Sequence, residues 1–123
     1  MQIIEAINQV DALVPNNYTE ADKISWLSML DGMIKRDVID THEGGDEVVF
    51  DGYNEDTPTT TELIVKAPFD DMYVIWLESK IAYYNNEYVK CNNAITRYND
   101  IYQGFFNDYN RNHMPLGKKI KYF

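Results

Sequence analysis

Residues 69–112 read FDDMYVIWLESKIAYYNNEYVKCNNAITRYNDIYQGFFNDYNRN, and this stretch decides the fold. Val74, Leu77, Ile81, Tyr84, Tyr88, Cys91, Ile95, Tyr98, Tyr102, Phe105 and Tyr109 alternate three and four apart without a miss, over five heptads. An apolar seam with that period marks a helix packed against other helices. Asp70 and Asp71, just after Ala67-Pro68, suit a helix N-terminus, and His113-Met114-Pro115-Leu116-Gly117 ends the pattern. The spacing predicts a long C-terminal helix over Phe69 to Asn112, continuous, with a bend where the poor helix formers Asn85-Asn86 or Asn92-Asn93 sit. At a rise of ~1.5 Å per residue the seam would run roughly 50 Å, longer than a domain of this size is wide. Either it breaks into two helices, or its far end is buried by another subunit.

The seam is made of tyrosine rather than leucine. From Tyr83 to Asn110 there are six Tyr and seven Asn. A tyrosine brings a large ring and a hydroxyl that needs a partner or water, which favours places where surfaces meet. Tyr84, Tyr88, Tyr98, Tyr102, Phe105 and Tyr109 are therefore expected to contribute to a subunit or partner interface.

Outward towards the N-terminus, Ile3, Ile4, Ile7 and Val10 predict a short helix over Ile3 to Leu13, stopped by Pro15-Asn16-Asn17. Thr19 and Asp22 form a capping-box-like start. After it Ile24, Leu27, Leu30 or Asp31, Ile34 and Val38 place one apolar face from Glu20 to His42, and Gly44-Gly45 stops it. Between the helices, Val48-Val49-Phe50 and Thr59 to Val65 are β-branched and aromatic runs around a turn-rich centre, so a β-hairpin or extended arm is expected over 47–67. Two strands alone are marginal, so the arm should pack on the helices or reach a neighbour, with Phe50 and Tyr53 as its contacts. The expected fold is mainly α: one helical domain over 1–117, a long C-terminal helix, a middle arm and a tail at 118–123.

The chain has 123 residues and a net charge of -9 from 11 basic and 20 acidic side chains. Residues 1–110 carry 7 bases and 20 acids, a balance of -13, while Arg111, Lys118, Lys119 and Lys121 give the remainder +4. Nine acids and no base lie between Asp37 and Glu62. Such an acidic body argues against electrostatic wrapping of nucleic acid, which needs a basic face to displace counterions. A basic tail on it suggests self-association or docking on an acidic partner, through Lys118, Lys119, Lys121, Tyr122 and Phe123. No apolar run exceeds six residues and MQIIEAINQV does not read as a secretory leader, so a soluble cytoplasmic product without membrane contact is expected. The single Cys91 can form no internal disulfide.

No constellation of catalytic residues stands out, and neither an enzyme nor a cofactor or metal site is expected. Cys91 lies on the apolar seam, where a thiol behaves as a small hydrophobe. His42 and His113 lack metal-motif spacing and are expected at the surface or as helix caps. Asp37, Asp40 and Glu43 share a helix face, but an Arg36–Asp40 ion pair and solvent account for them better than acid-base chemistry does. Asp51 to Asp56 lacks the alternating oxygens and the Gly of a calcium loop.

Four stretches carry a likeness: DKISWLSMLDGMIKRDVIDTHEG at 22–44, ELIVKAPFDDMYVIWLE at 62–78, YNNEY at 84–88 and YNRNHMPLG at 109–117. Together they resemble the head-tail connector (adaptor, head-completion) proteins of tailed bacteriophages. The resemblance implies a helical structural subunit of the virion neck, assembled in the host cytoplasm. It implies a ring of about a dozen copies below the portal protein, which extends the DNA channel and docks the next neck or tail protein. In such a ring -9 per subunit sums to on the order of a hundred charges, which would let double-stranded DNA pass without gripping it. The middle arm is an addition to the simplest helical connectors. The reading that competes with it is a small cytoplasmic partner-binding protein that dimerises through its aromatic helix as a coiled coil.

Overall fold

Thr19 starts the second helix as its chemistry dictates: its hydroxyl accepts from the Asp22 amide at 3.1 Å, and the Asp22 carboxylate accepts from the Thr19 amide at 3.3 Å. In the computed structural model, which describes residues 1–116, the helices are α1 (Ile3–Leu13), α2 (Glu20–Ile34), α3 (Asp71–Tyr84) and α4 (Tyr88–Asn112). The tail residues Lys118, Lys119, Lys121, Tyr122 and Phe123 lie outside the described residues. The chain is mainly α, with the long C-terminal helix expected, and α1 has the predicted bounds.

The continuous helix of the sequence reading is corrected: it breaks at Asn85-Asn86-Glu87. Asn86 takes a left-handed conformation, φ 61, which asparagine tolerates better than most residues. Its amide donates to Tyr83 O at 3.1 Å and that of Glu87 to Ala82 O at 2.8 Å. These two bonds form a Schellman motif, which satisfies the last free carbonyls of α3 and turns the chain back. The seam thus folds on itself as an α3–α4 hairpin. Val74, Leu77 and Ile81 enter the core, and on α4 the inward register runs Cys91, Ala94, Tyr98, Ile101, Phe105, so Ile95 is turned outward.

α3 is the centre of the domain, packed against α1 and α2 and, most extensively, against α4. Met72, Tyr73, Leu77 and Ile81 of α3 are fully buried, with Ile3 and Val10 of α1 and Leu27 and Leu30 of α2. Beyond Ile34 the second helix widens into a π-turn (Lys35–Ile39), which carries Val38, Ile39 and then His42 inward. Gly44 (φ 81) and Gly45 turn the chain away; a Cβ on Gly45 would lie 2.2 Å from Ile39 O, so no other residue fits.

The β-hairpin expected in the middle of the chain does not form. Among the described residues there is no sheet, only the isolated bridges Gln2–Glu62 and His42–Pro115. The run 59–63 pairs instead with the first residues, through Ile3 N to Thr61 O, Ile4 N to Thr59 O and Leu63 N to Met1 O. Leu63 and Val65 leave that edge for the core. The first run follows α2: the Phe50 ring lies over Gly32, and the Tyr53 amide donates to Ser28 Oγ at 2.9 Å. The arm is extended but bound to its own domain, because apolar side chains on both runs gain more from the helical core than from pairing two isolated strands.

Candidate functional site

The turn between α3 and α4 and the loop between α1 and α2 meet at one end of the bundle, tied by a Tyr18 hydroxyl that donates to Asn85 Oδ1 at 2.7 Å. Aromatic rings gather there. Tyr84 stacks on Trp26 with centroids 5.6 Å apart, Tyr18 meets Trp26 edge-on at 5.4 Å, and Tyr83 touches both Tyr84 and Tyr88. Tyr83, Tyr84 and Tyr88 are nonetheless 52%, 53% and 56% exposed. A cluster of large rings left half in water, beside Asn85 and Asn86, is built like a contact surface rather than a core.

The remaining aromatics of the seam turn inward. Tyr98 leans on Trp76 at 5.4 Å and stacks on Tyr102, Phe105 is buried against Phe69, and Tyr109 stacks on His113 at 3.9 Å. Burial pushes the Tyr98 hydroxyl up to about 12, with Tyr102 adding to it, and also raises Tyr102 and Tyr109. Of the residues expected at an interface, Tyr84 and Tyr88 are exposed, Tyr98, Tyr102 and Tyr109 are half-buried along α4, and Phe50 and Tyr53 pack together on α2.

Beside the aromatic end a groove of about 210 Å³ runs between α3 and α4, lined by Trp76, Ser79, Lys80, Tyr83, Cys91 and Ile95. Cys91 is buried at its floor, and Lys80 Nζ sits 4.7 Å over the Trp76 ring. The Trp76 indole N–H donates to Trp26 O at 2.9 Å, which fixes this wall of the groove to α2.

Several residues behave otherwise than the sequence suggests. His42, expected at the surface or as a helix cap, is buried; its Nδ1 lies 2.6 Å from Val38 O at the end of the π-turn, and its Nε2 meets the Asn110 side chain, so it joins the far end of α4 to the π-turn. Arg36 pairs with Asp37 rather than Asp40, which is bound by Lys35, because the π-turn rotates the i,i+4 partner away. Asp37, Asp40 and Glu43 remain exposed; Asp40 and Glu43 line an open pocket with His42 and Leu116, and Asp37 lies outside it.

Asp31 and Lys23 carry structural weight that the sequence reading missed. The Asp31 carboxylate is fully buried and accepts from the Tyr53 and Tyr73 hydroxyls, each at 2.6 Å, and from the Ile64 amide at 3.2 Å. Burial pushes its carboxyl up while these bonds pull it down, and the balance is upward. The one available signal was an acid inside the apolar stripe of α2. Lys23, equally buried, donates to Asp11 at 2.7 Å and to Tyr18 O at 3.0 Å. Among the described residues, no group of three or more His, Cys, Asp or Glu could hold a metal ion, and no helix is long and apolar enough to cross a membrane.

The class that fold and surface define is a small helical domain with an aromatic, amide-rich end. No family model, no curated protein and no solved structure matches the chain.

Proposed function

We propose that the protein is a structural subunit of a bacteriophage neck, a head-tail connector that assembles as a ring below the portal and docks the next neck or tail protein. The observation that carries this reading is the exposed Tyr83-Tyr84-Tyr88 surface, large rings held in place by Trp26 and Asn86 without being covered. It accords with the likeness of residues 22–44, 62–78, 84–88 and 109–117 to connector proteins. Holding rigid aromatics at a surface lowers the entropy lost on assembly, which suits a subunit whose work is to bind its own kind and its neighbours. The acidic body fits a channel through which DNA slides. The competing dimer reading is less favoured, since the seam turns back at Asn86 and packs within the chain rather than running on as one helix.

The test is the mass of the purified protein with and without a portal ring. A multimer of about a dozen copies, formed alone or on the portal, is expected. A stable dimer indifferent to portal would overturn the proposal.

A further inference from the structure

The most exposed large apolar side chain among the described residues is Val49 of the arm, at 81%. It is not a loose residue. Val48 and Phe50 on either side are half-buried, Phe50 lies over Gly32, and the Tyr53 amide is held by Ser28, so the arm presents Val49 outward from a fixed backbone. In sequence the charges beside this knob are acidic: Glu47 and Asp51 flank it, and the bases of the adjoining π-turn, Lys35 and Arg36, are paired with Asp40 and Asp37.

The groove between α3 and α4 has the opposite character. Its walls are apolar, with Tyr83 and Ile95 52% and 40% exposed, and about 210 Å³ is room for a branched aliphatic side chain. Lys80 stands at its rim, with its Nζ 4.7 Å over the Trp76 ring. Charge elsewhere makes most pairings of two copies acid against acid, at -9 per chain. Acid-flanked knob and lysine-rimmed groove are complementary in both shape and sign. They also lie on different flanks, the knob on α2 and the groove on α3 and α4, and the groove shares no lining residue with the arm. In the folded chain the arm does not fill its own groove.

We propose that this groove receives the arm of a second copy of the chain, with Val49 seated among Trp76, Tyr83 and Ile95 and with Glu47 and Asp51 facing Lys80. Because knob and groove occupy different flanks, the contact is head-to-tail and propagates from copy to copy until it closes. The inference rests on the oligomeric reading above and names the faces that make the oligomer.

The test uses the full chain in a Cys91→Ser background. Val49→Cys with Ile95→Cys, oxidised at assembling concentration, is expected to give a ladder of covalent multimers beyond the dimer, while either cysteine alone stops at the dimer. A double variant no different from the singles would overturn the contact. In the otherwise native chain, Val49→Asp and Lys80→Glu should each weaken assembly about tenfold or more, about 1.4 kcal/mol. Lys80→Glu combined with Glu47→Lys and Asp51→Lys should recover it. Both positions are exposed or at a rim, so circular dichroism should show the fold unchanged. Assembly untouched by Val49→Asp overturns this contact and leaves the connector reading standing. A chain monomeric at every concentration, with portal or without, overturns both.

Discussion

Replacing Asp31 with alanine removes the acceptor on which two tyrosine hydroxyls and one backbone amide converge. The Tyr73 hydroxyl also accepts from Val65 N at 2.7 Å, so the cluster joins α2, α3 and the arm in one network. Tyr73 is fully buried and Ile64 and Tyr53 partly so; water can replace the lost oxygen only at the outer edge. A stranded buried donor costs about 1–3 kcal/mol, so Asp31→Ala should lose about 3–5 kcal/mol. That is a large share of the ~5–15 kcal/mol that holds a domain together. Asp31→Asn keeps one acceptor oxygen and should lose less. In a double-mutant cycle, Asp31→Ala and Tyr73→Phe should couple by at least about 1 kcal/mol. Urea denaturation followed by circular dichroism measures these differences, and hydrogen exchange over 48–66 should show the arm released before the helices open. An Asp31→Ala loss under about 1 kcal/mol, or no coupling, would refute the reasoning. The same carboxyl is raised by burial, so the folded chain holds its proton more tightly than the unfolded chain does. Its contribution is full below the ordinary carboxylate value and is lost as pH rises through the folded value. The parent should therefore gain stability relative to Asp31→Asn as pH falls from neutrality.

Three further outcomes are expected. Asn86→Gly should keep the α3–α4 turn, whereas Asn86→Ala should cost about 1–2 kcal/mol in a melting experiment, since alanine resists the left-handed backbone and Tyr88 loses its acceptor. Gly45→Ala places a Cβ 2.2 Å from Ile39 O and should destabilise by about 3 kcal/mol, while Gly32→Ala, with 3.7 Å to Phe50, should fold normally; equal effects would contradict the packing of the 39–45 turn. Tyr98, pushed up to about 12 by burial, stabilises the fold fully below its ordinary value of 10.0 and loses that contribution as pH rises through about 12. Tyr98→Phe should flatten that part of the alkaline unfolding curve, and phenolate absorbance that titrates as in free tyrosine would refute the assignment.

The residues by themselves determined α1, the Thr19 cap and the helical character of 74–84 and 88–109, because period and capping are local chemistry that each segment carries with it. They also marked the two Asn pairs as weak points. Which pair breaks is a tertiary matter: with the turn at Asn86, α4 folds back along α3 and Cys91, Ala94 and Phe105 are buried. The arm's runs have the composition of strands, yet their apolar side chains found α2 and the core, a choice no local propensity expresses. The candidate site was half legible. A Tyr-rich seam announces a surface, but which tyrosines face water depends on what α3 and α4 cover in each other, which leaves Tyr84 and Tyr88 out and draws Tyr98 and Phe105 in. Asp31, His42 and the groove between α3 and α4 join residues well apart in sequence, and such long-range pairings exist only once the helices are packed.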